Sequence, residues 1–200
     1  MVNQLVNNIN PKLVILASRS PRRVELLKQL GIDSMIMPAD IDESVMVGEA
    51  PADYVQRVAR QKVMAIAKHL KSEYANLPVL AADTTVALGA EILGKPQNDA
   101  DAFNMLKKLS GSKHAVHTAV AISYKGKVKV VLSSTMVEMM PLSNAIINAY
   151  LQSGEHHDKA GSYGIQGKAG AWIKHIEGSY TGVMGLPLYE SAKLLRDVSK

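Results

Sequence analysis

Three arginines and two serines are clustered near the start of the chain, in residues 18–23. The segment reads SRSPRR and directly follows the apolar run of residues 13–17. Guanidinium groups, hydroxyls and the free N–H groups of a helix start all bind phosphate oxygens. The cluster therefore predicts a polyphosphate site, with Ser18, Ser20 and Arg22 as candidate ligands. An ordinary turn with solvated arginines is the alternative.

Two lysines and two acidic residues offer the other groups that cleavage of a triphosphate requires. Such cleavage needs cations around the phosphates, a divalent metal and a carboxylate that activates or positions water. Lys62 and Lys95 are the candidate cations, and Glu43 and Asp83 are the candidate carboxylates. Taken singly, Asp83 is also typical of a turn, Lys95 of a solvated loop and Lys62 of a snorkelling side chain.

Several familiar kinds of site are absent from the sequence. It contains neither a G-x-x-x-x-G-K-[ST] phosphate loop nor a G-x-S-x-G nucleophile elbow. The chain has no cysteine, so any metal must be held by oxygen or imidazole. The adjacent pair His156-His157 does not by itself define a metal site, because two neighbouring loop side chains leave the ligand set incomplete.

Composition narrows the class of partner. The formal charge of +5 and a pI near 9.3 favour an anion, while one Phe, one Trp and seven Tyr give no interleaved basic and aromatic strand for single-stranded nucleic acid. A small polyanion fits better than a stable nucleic-acid complex. Without cysteine, an apolar leader or a run of about 18 apolar residues, we expect a cytoplasmic protein that binds no membrane.

The elements that must position these groups alternate between strands and helices. In the first half, a buried strand at 13–17 leads into a helix capped by Ser20 and ending near Leu30, followed by a polar connection at 35–48. A long helix runs from Pro51 to about Leu70. A second buried strand at 78–82 is expected to end abruptly at Asp83.

Strands dominate the middle of the chain. A helix capped by Asn98 precedes a hairpin of residues 114–123 and 128–139, and a further helix begins after Ser143. A strand at 171–177 and a helix from Pro187 complete the pattern. This order predicts an α/β fold with a mixed sheet.

The motifs taken together resemble the Maf family of nucleoside triphosphate pyrophosphatases, also called septum-formation inhibitor proteins. The similarity covers nearly the whole chain, and it depends on the order and spacing of many short segments. These are Leu16-Ala17-Ser18, Ser20-Pro21-Arg22-Arg23, Asp42-Glu43, Ala59-Arg60-Gln61-Lys62, Ala82-Asp83-Thr84, Gly94-Lys95-Pro96, Leu109-Ser110-Gly111, Asp158-Lys159-Ala160-Gly161, Tyr163-Gly164-Ile165-Gln166-Gly167, Gly178-Ser179-Tyr180 and Gly185-Leu186-Pro187-Leu188.

The resemblance implies a fold and an assembly. It implies one domain over residues 12–198, preceded by an extension at 1–11. The domain would have two lobes, a twisted mixed sheet flanked by helices and a central cleft, similar to inosine triphosphate pyrophosphatases. It also implies a homodimer.

The resemblance further implies a reaction, hydrolysis between the α- and β-phosphates that yields a nucleoside monophosphate and pyrophosphate. Asp83 matches the proton acceptor that activates water, and Lys62 and Lys95 are the accompanying catalytic cations. A divalent cation, Mg²⁺ or Mn²⁺, would be held by Glu43 and Asp83. The role of Arg23 stays open between direct contact and a structural salt bridge.

Three positions indicate the branch of the family. Arg22, Thr84 and Gln166 fall at its specificity positions, and the sequence around Gln166 resembles the dTTP and UTP branch. The amide of Gln166 both donates and accepts, which suits a pyrimidine edge with a carbonyl and an N3–H. House-cleaning of pyrimidine or modified nucleotides is the implied role. The alternative is a non-enzymatic basic regulator of cell division or nucleic-acid binding.

Overall fold

A seven-stranded mixed sheet forms the centre of the computed structural model, which describes residue 9 and residues 11–198. The strand order is β2-β1-β3-β5-β6-β7, with β4 paired to β3 alone. The strands are β1 Leu13–Leu16, β2 Asp33–Ile36, β3 Val79–Leu88, β4 Glu91–Leu93, β5 Lys113–Tyr124, β6 Lys127–Met139 and β7 Ile173–Glu177. Residues 1–8 and 10 of the expected extension lie outside the described residues.

Six helices lie in the described part of the chain. They are α1 Pro21–Gln29, α2 Pro51–Lys68, α3 Asp99–Leu109, α4 Asn144–Leu151, α5 Tyr180–Met184 and α6 Leu188–Asp197. Short 3₁₀ turns occupy Ser72–Tyr74, Ala160–Ser162 and Lys168–Trp172. None of these helices has the length and apolar character needed to span a bilayer. Strand β1 pairs in parallel with β2 and β3, and the other pairings are antiparallel, which confirms the α/β class with a mixed sheet.

The core falls into two parts along the sheet. In one part α1 and α6 cover one face and α2 covers the other. In the other part α3 and α4 pack around Val86 of β3, Val116 of β5 and Val137 of β6. There the rings of Tyr150 and Trp172 make an edge-to-face contact, with 4.8 Å between their centroids. These three long strands cross both parts, so the sheet joins the two expected lobes.

The hairpin between β5 and β6 was correctly predicted, and its turn shows why. Lys125 and Gly126 both have positive φ, 47° and 75°. Two such residues in succession form the turn whose twist matches that of paired strands.

The expected end of the second strand at Asp83 was wrong. Strand β3 continues through Asp83 and Thr84 to Leu88, and it pairs with β5 from Val79 to Ala87. Threonine and valine after Asp83 favour an extended backbone. The carboxylate therefore lies in the middle of a strand, where its side chain is fixed by the sheet.

Two short elements were not predicted. Part of strand β2 was predicted as a connection, because its side chains are exposed or only half-buried, as on a sheet edge. Helix α5 is too short for a periodic signal. It is bounded by Ser179, whose hydroxyl accepts from the Gly182 N–H at 3.0 Å, and by Gly185 at φ 112°.

We expect Leu106→Ala to lower the free energy of unfolding by about 2–5 kcal/mol, because the fully buried side chain would leave a cavity between α3 and the sheet. Urea unfolding monitored by circular dichroism would measure it. Met64→Ala is the control, since Met64 is 52% exposed on α2 and its loss should cost less than about 0.5 kcal/mol. Equal losses in both variants would contradict this account of the core.

Candidate active site

Lys62 binds two carboxylates at once. Its ammonium lies 2.8 Å from Asp83 Oδ1 and 2.8 Å from Glu43 Oε2. The side chains of Lys62 and Asp83 are 10% and 9% exposed, whereas that of Glu43 is 44% exposed. Lys62 lies on the buried face of α2 and Asp83 on the sheet face that α2 covers. The lysine thus meets anions rather than snorkelling to solvent.

The environment of Asp83 makes it more basic than an ordinary aspartate. Burial raises the pKa of Asp83, and the neighbouring charges of Lys62 and Arg23 oppose that rise. Glu43 raises the pKa of Asp83 further. A carboxylate with a raised pKa binds a proton more strongly, as a general base requires.

The loop that carries Glu43 is fastened to α2 by side chains that the sequence analysis missed. The Tyr54 hydroxyl donates to the Glu43 carbonyl at 3.0 Å, and Arg57 donates to the Ser44 carbonyl at 2.9 Å. Arg57 also binds Glu49 at 2.6 and 2.7 Å and lowers its pKa to about 2. The spacing of Tyr54 and Arg57, three residues apart on one helix face, was the available signal.

Arg23 donates hydrogen bonds to three separate parts of the protein. Its guanidinium donates to Ser18 Oγ at 3.0 Å, to the Gly185 carbonyl at 2.9 Å and to Thr84 Oγ1 at 3.4 Å. Within the described residues it forms no ion pair with a carboxylate, so the structure does not show the expected salt bridge, and direct contact with a ligand stays a prediction. Burial lowers the pKa of Arg23.

The Thr84 hydroxyl is committed to an internal chain of hydrogen bonds. Thr118 Oγ1 donates to the Gly182 carbonyl at 2.8 Å, so it must accept from Thr84 at 2.9 Å. The Thr84 oxygen then accepts from Arg23. This chain fixes α5 and the residues around it against the middle of the sheet.

The side chains of four candidate residues form no hydrogen bond or ion pair in the described part of the chain. They are Ser20, Arg22, Lys95 and Gln166. Arg22 is half-buried and Lys95 is exposed, and neither side chain forms an ion pair or hydrogen bond there. Ser20 occupies the N-cap of α1, as predicted, but its hydroxyl makes no capping bond. First-turn N–H groups without a cap, beside the free guanidinium of Arg22, present an arrangement that suits an anion.

The loop that carries Gln166, the fourth such group, is anchored from two sides. His114 Nε2 and the Tyr163 hydroxyl are hydrogen-bonded at 2.7 Å, and burial lowers the pKa of His114 to about 4. Glu155 accepts from the Lys168 N–H at 2.9 Å. The exposed amide of Gln166 is therefore displayed by a fixed backbone.

The structure groups some predicted residues and leaves others apart. Glu43 and Asp83 both bind Lys62, and Ser18 and Thr84 both accept from Arg23. Lys95 and Gln166 lie on segments of the other lobe that are joined near Gly161, whose N–H donates to the Gly94 carbonyl at 3.0 Å. They contact neither group directly.

The two carboxylates fit a hard divalent cation. Lys62 uses Oδ1 of Asp83 and Oε2 of Glu43, and the remaining oxygen of each carboxylate has no hydrogen bond within the described residues. Mg²⁺ and Mn²⁺ prefer carboxylate oxygens supplemented by water and phosphate. Glu43 and Asp83 are thus suited to hold such an ion.

We expect Lys62→Met to raise the pKa of Asp83 further, because the ammonium that opposes the effect of burial is removed. Carbon-13 NMR titration of the Asp83 carboxyl would measure the change. Lys108→Met is the control, since it breaks only the exposed pair with Glu91. An unchanged or lower pKa in Lys62→Met would refute this reading.

The same variant should change the pH dependence of stability. The folded-state pKa of Asp83 lies above its unfolded value, so its stabilising contribution is present at low pH and is lost as pH rises through that pKa. The loss should be larger in Lys62→Met and should continue to higher pH, because the unfolded-state pKa at which it starts is unchanged and the folded-state pKa at which it ends is raised. Urea unfolding from about pH 4 to 8 would show the free energies of unfolding of the wild type and of Lys62→Met diverging as pH rises.

Comparisons with known proteins show what the chain is similar to. The chain matches the family model described as Maf-like protein over residues 13–198. It is 53% identical over 190 residues to a dTTP/UTP pyrophosphatase of Methylobacillus flagellatus, covering 95% of this chain and 94% of that protein. It is 46% identical over 186 residues to a dTTP/UTP pyrophosphatase of Neisseria meningitidis serogroup B, covering 92% of each chain. Among solved structures, the Staphylococcus aureus Ham1 protein matches with a TM-score of 0.47 and 21% identity, covering 64% of this chain and 72% of that one. The chain belongs to the Maf-like protein family.

Proposed function

We propose that the protein is a nucleoside triphosphate pyrophosphatase that hydrolyses dTTP and UTP to the nucleoside monophosphate and pyrophosphate. The observation that carries this proposal is the buried carboxylate of Asp83, held by Lys62 beside Glu43. The names of the similar proteins, dTTP/UTP pyrophosphatases, support the reaction and the substrates. They do not favour the alternative of a non-enzymatic regulator.

Asp83 would act as the proton acceptor. Water attacks the α-phosphorus, its proton passes to the Asp83 carboxylate, and the bond from the α-phosphorus to the bridging oxygen breaks so that pyrophosphate leaves. The raised pKa of Asp83 supports this role. Lys62 holds the carboxylate in one orientation and balances its charge. A divalent cation bound by Glu43 and Asp83 would neutralise charge on the phosphate oxygens.

The triphosphate would lie against the start of α1. The hydroxyls of Ser18 and Ser20, the free N–H groups of the first turn and the unpaired cation of Arg22 supply donors for its oxygens. Lys95 would approach from the other lobe. Arg23 would act indirectly, because its own donors already hold Ser18 and Thr84.

Base selection would depend on Gln166, together with Arg22 and Thr84. The free amide of Gln166 is suited to a uracil or thymine edge, because it offers one donor and one acceptor. Thr84 would contribute by keeping the Arg23 network and α5 in place. A homodimer, a cytoplasmic location and a house-cleaning role remain predictions from the sequence.

We expect Asp83→Asn to lower kcat for dTTP and UTP by about 10²–10⁴-fold, because the proton acceptor is lost. Nucleotide binding, measured by calorimetry, should persist. Asp40→Asn is the control, since Asp40 is an exposed carboxylate outside the site. Assays in H₂¹⁸O with mass spectrometry should place the label in the monophosphate. Release of inorganic phosphate as the primary product would refute cleavage between the α- and β-phosphates.

We expect Gln166→Leu to lower kcat/KM for dTTP and UTP by about tenfold or more, since two hydrogen bonds to the base would be lost. A panel of dTTP, UTP, CTP, 5-methyl-UTP and 7-methyl-GTP would measure specificity. Gln152→Leu, at another exposed glutamine, should leave the ranking of substrates unchanged. An unaltered ranking in Gln166→Leu would show that other residues read the base.

A further inference from the structure

Two histidines and an aspartate from separate segments meet outside the candidate active site. His156 Nε2 lies 3.0 Å from Asp99 Oδ1, and the rings of His156 and His157 lie 4.0 Å apart between centroids. One potential ligand atom from each of the three residues falls within 4.8 Å of the others. The aspartate supplies the third ligand that the sequence of the histidine pair alone did not reveal.

The fold brings these residues together through two element ends. Asp99 is the first residue of α3, directly after the N-cap Asn98. The histidines lie in the irregular turns at 152–158 that follow α4, and α3 packs against α4. The cluster therefore joins the start of one helix to the segment that leaves another.

We propose that Asp99, His156 and His157 form a second metal site, for a borderline transition-metal ion such as Zn²⁺. Two imidazoles and one carboxylate form a ligand set that Zn²⁺ uses, with water in the fourth position. Mg²⁺ and Ca²⁺ prefer sites made of oxygen, so the nitrogen donors separate this cluster from Glu43 and Asp83.

A simple pair between His156 and Asp99 accounts for only part of this arrangement. The His156 ring is 1% exposed, and its Nδ1 has no hydrogen-bond partner within the described residues. The hydrogen bond between His156 and Asp99 also gives no reason for His157 to lie against His156. A shared ion explains why two imidazoles and a carboxylate converge, and a bound ion is one of the partners that can satisfy a buried polar group with incomplete hydrogen bonding.

The site is accessible to an ion. Asp99 and His157 are exposed, so they need little rearrangement of the core to close around a metal. Asp99 also lines an open pocket of about 590 Å³ between α3 and α4, with Phe103 and Asn148. The buried imidazole supplies a fixed ligand, and the two exposed side chains supply adjustable ones.

A metal here would stiffen a segment that contacts the Gln166 loop. Glu155 accepts from the Lys168 N–H, and a Cβ at Gly167 would collide with its carboxylate. On the other side of the histidines, a Cβ at Gly164 would lie 2.8 Å from Lys159 Cε. Binding at Asp99 would tie this segment to α3, independently of any reaction at Asp83.

Zinc titration of the nucleotide-free protein against a chromogenic chelator tests the proposal. We expect one zinc ion per chain at this site, with the dissociation constant at least about tenfold weaker in Asp99→Asn and in His157→Gln. His175→Gln is the matched control, because His175 is exposed on β7 and outside the cluster. Asp83→Asn should retain the ion, which separates this site from the candidate active site.

Two further readouts decide the outcome. Long-range ¹H–¹⁵N NMR of the imidazoles should show zinc-dependent shifts of His156 and His157, and zinc should raise the melting temperature of the wild type more than that of either variant. Circular dichroism of metal-free variants checks their folding. Failure of the wild type to bind zinc, unchanged affinity in both variants, or loss of zinc in Asp83→Asn alone would overturn the proposal.

Discussion

The ammonium of Lys62 is the constraint on which the site depends. A carboxylate in the middle of a sheet, as at Asp83, loses most of its hydration, and a lone charge there would cost several kcal/mol. The lysine offsets this cost but is itself buried and needs anionic partners. Helix α2 must therefore pack with Lys62 toward the sheet, and the loop before it must bring Glu43 to the same nitrogen. One cation determines the relative positions of a strand, a helix and a loop.

A second cation, Arg23, also holds separate segments together, but none of its hydrogen-bond acceptors is a carboxylate. It joins the segment before α1 to β3 and to the residue after α5 by hydrogen bonds to uncharged acceptors. The free cations nearby are then left to face solvent and any anion that approaches. Since the internal groups are already paired, little reorganisation is needed when a polyanion binds, and preorganised donors of this kind are effective in both binding and catalysis.

Sequence patterns predicted the helices and strands that have clear periodicity. They also predicted the residues that lie at the ends of these elements. The start of α1, the buried face of α2 and the β5–β6 hairpin follow from cap residues, apolar spacing and turn residues. Strand β3 was cut short because an aspartate within a strand has no local explanation, and its partner Lys62 is 21 residues away. The contacts of Arg23 with Gly185, and of Asp99 with His156, join distant loops that no local pattern registers.

The bond from Arg23 to the Gly185 carbonyl spans 162 positions of the chain. The segment of residues 18–23 therefore acquires its final geometry only when the carboxyl-terminal part is present. During synthesis the first strand and helix leave the ribosome long before that carbonyl exists. A nascent or carboxyl-terminally shortened chain contains the cations and serines but lacks the Gly185 carbonyl that orients Arg23. Formation of the site therefore coincides with completion of the fold.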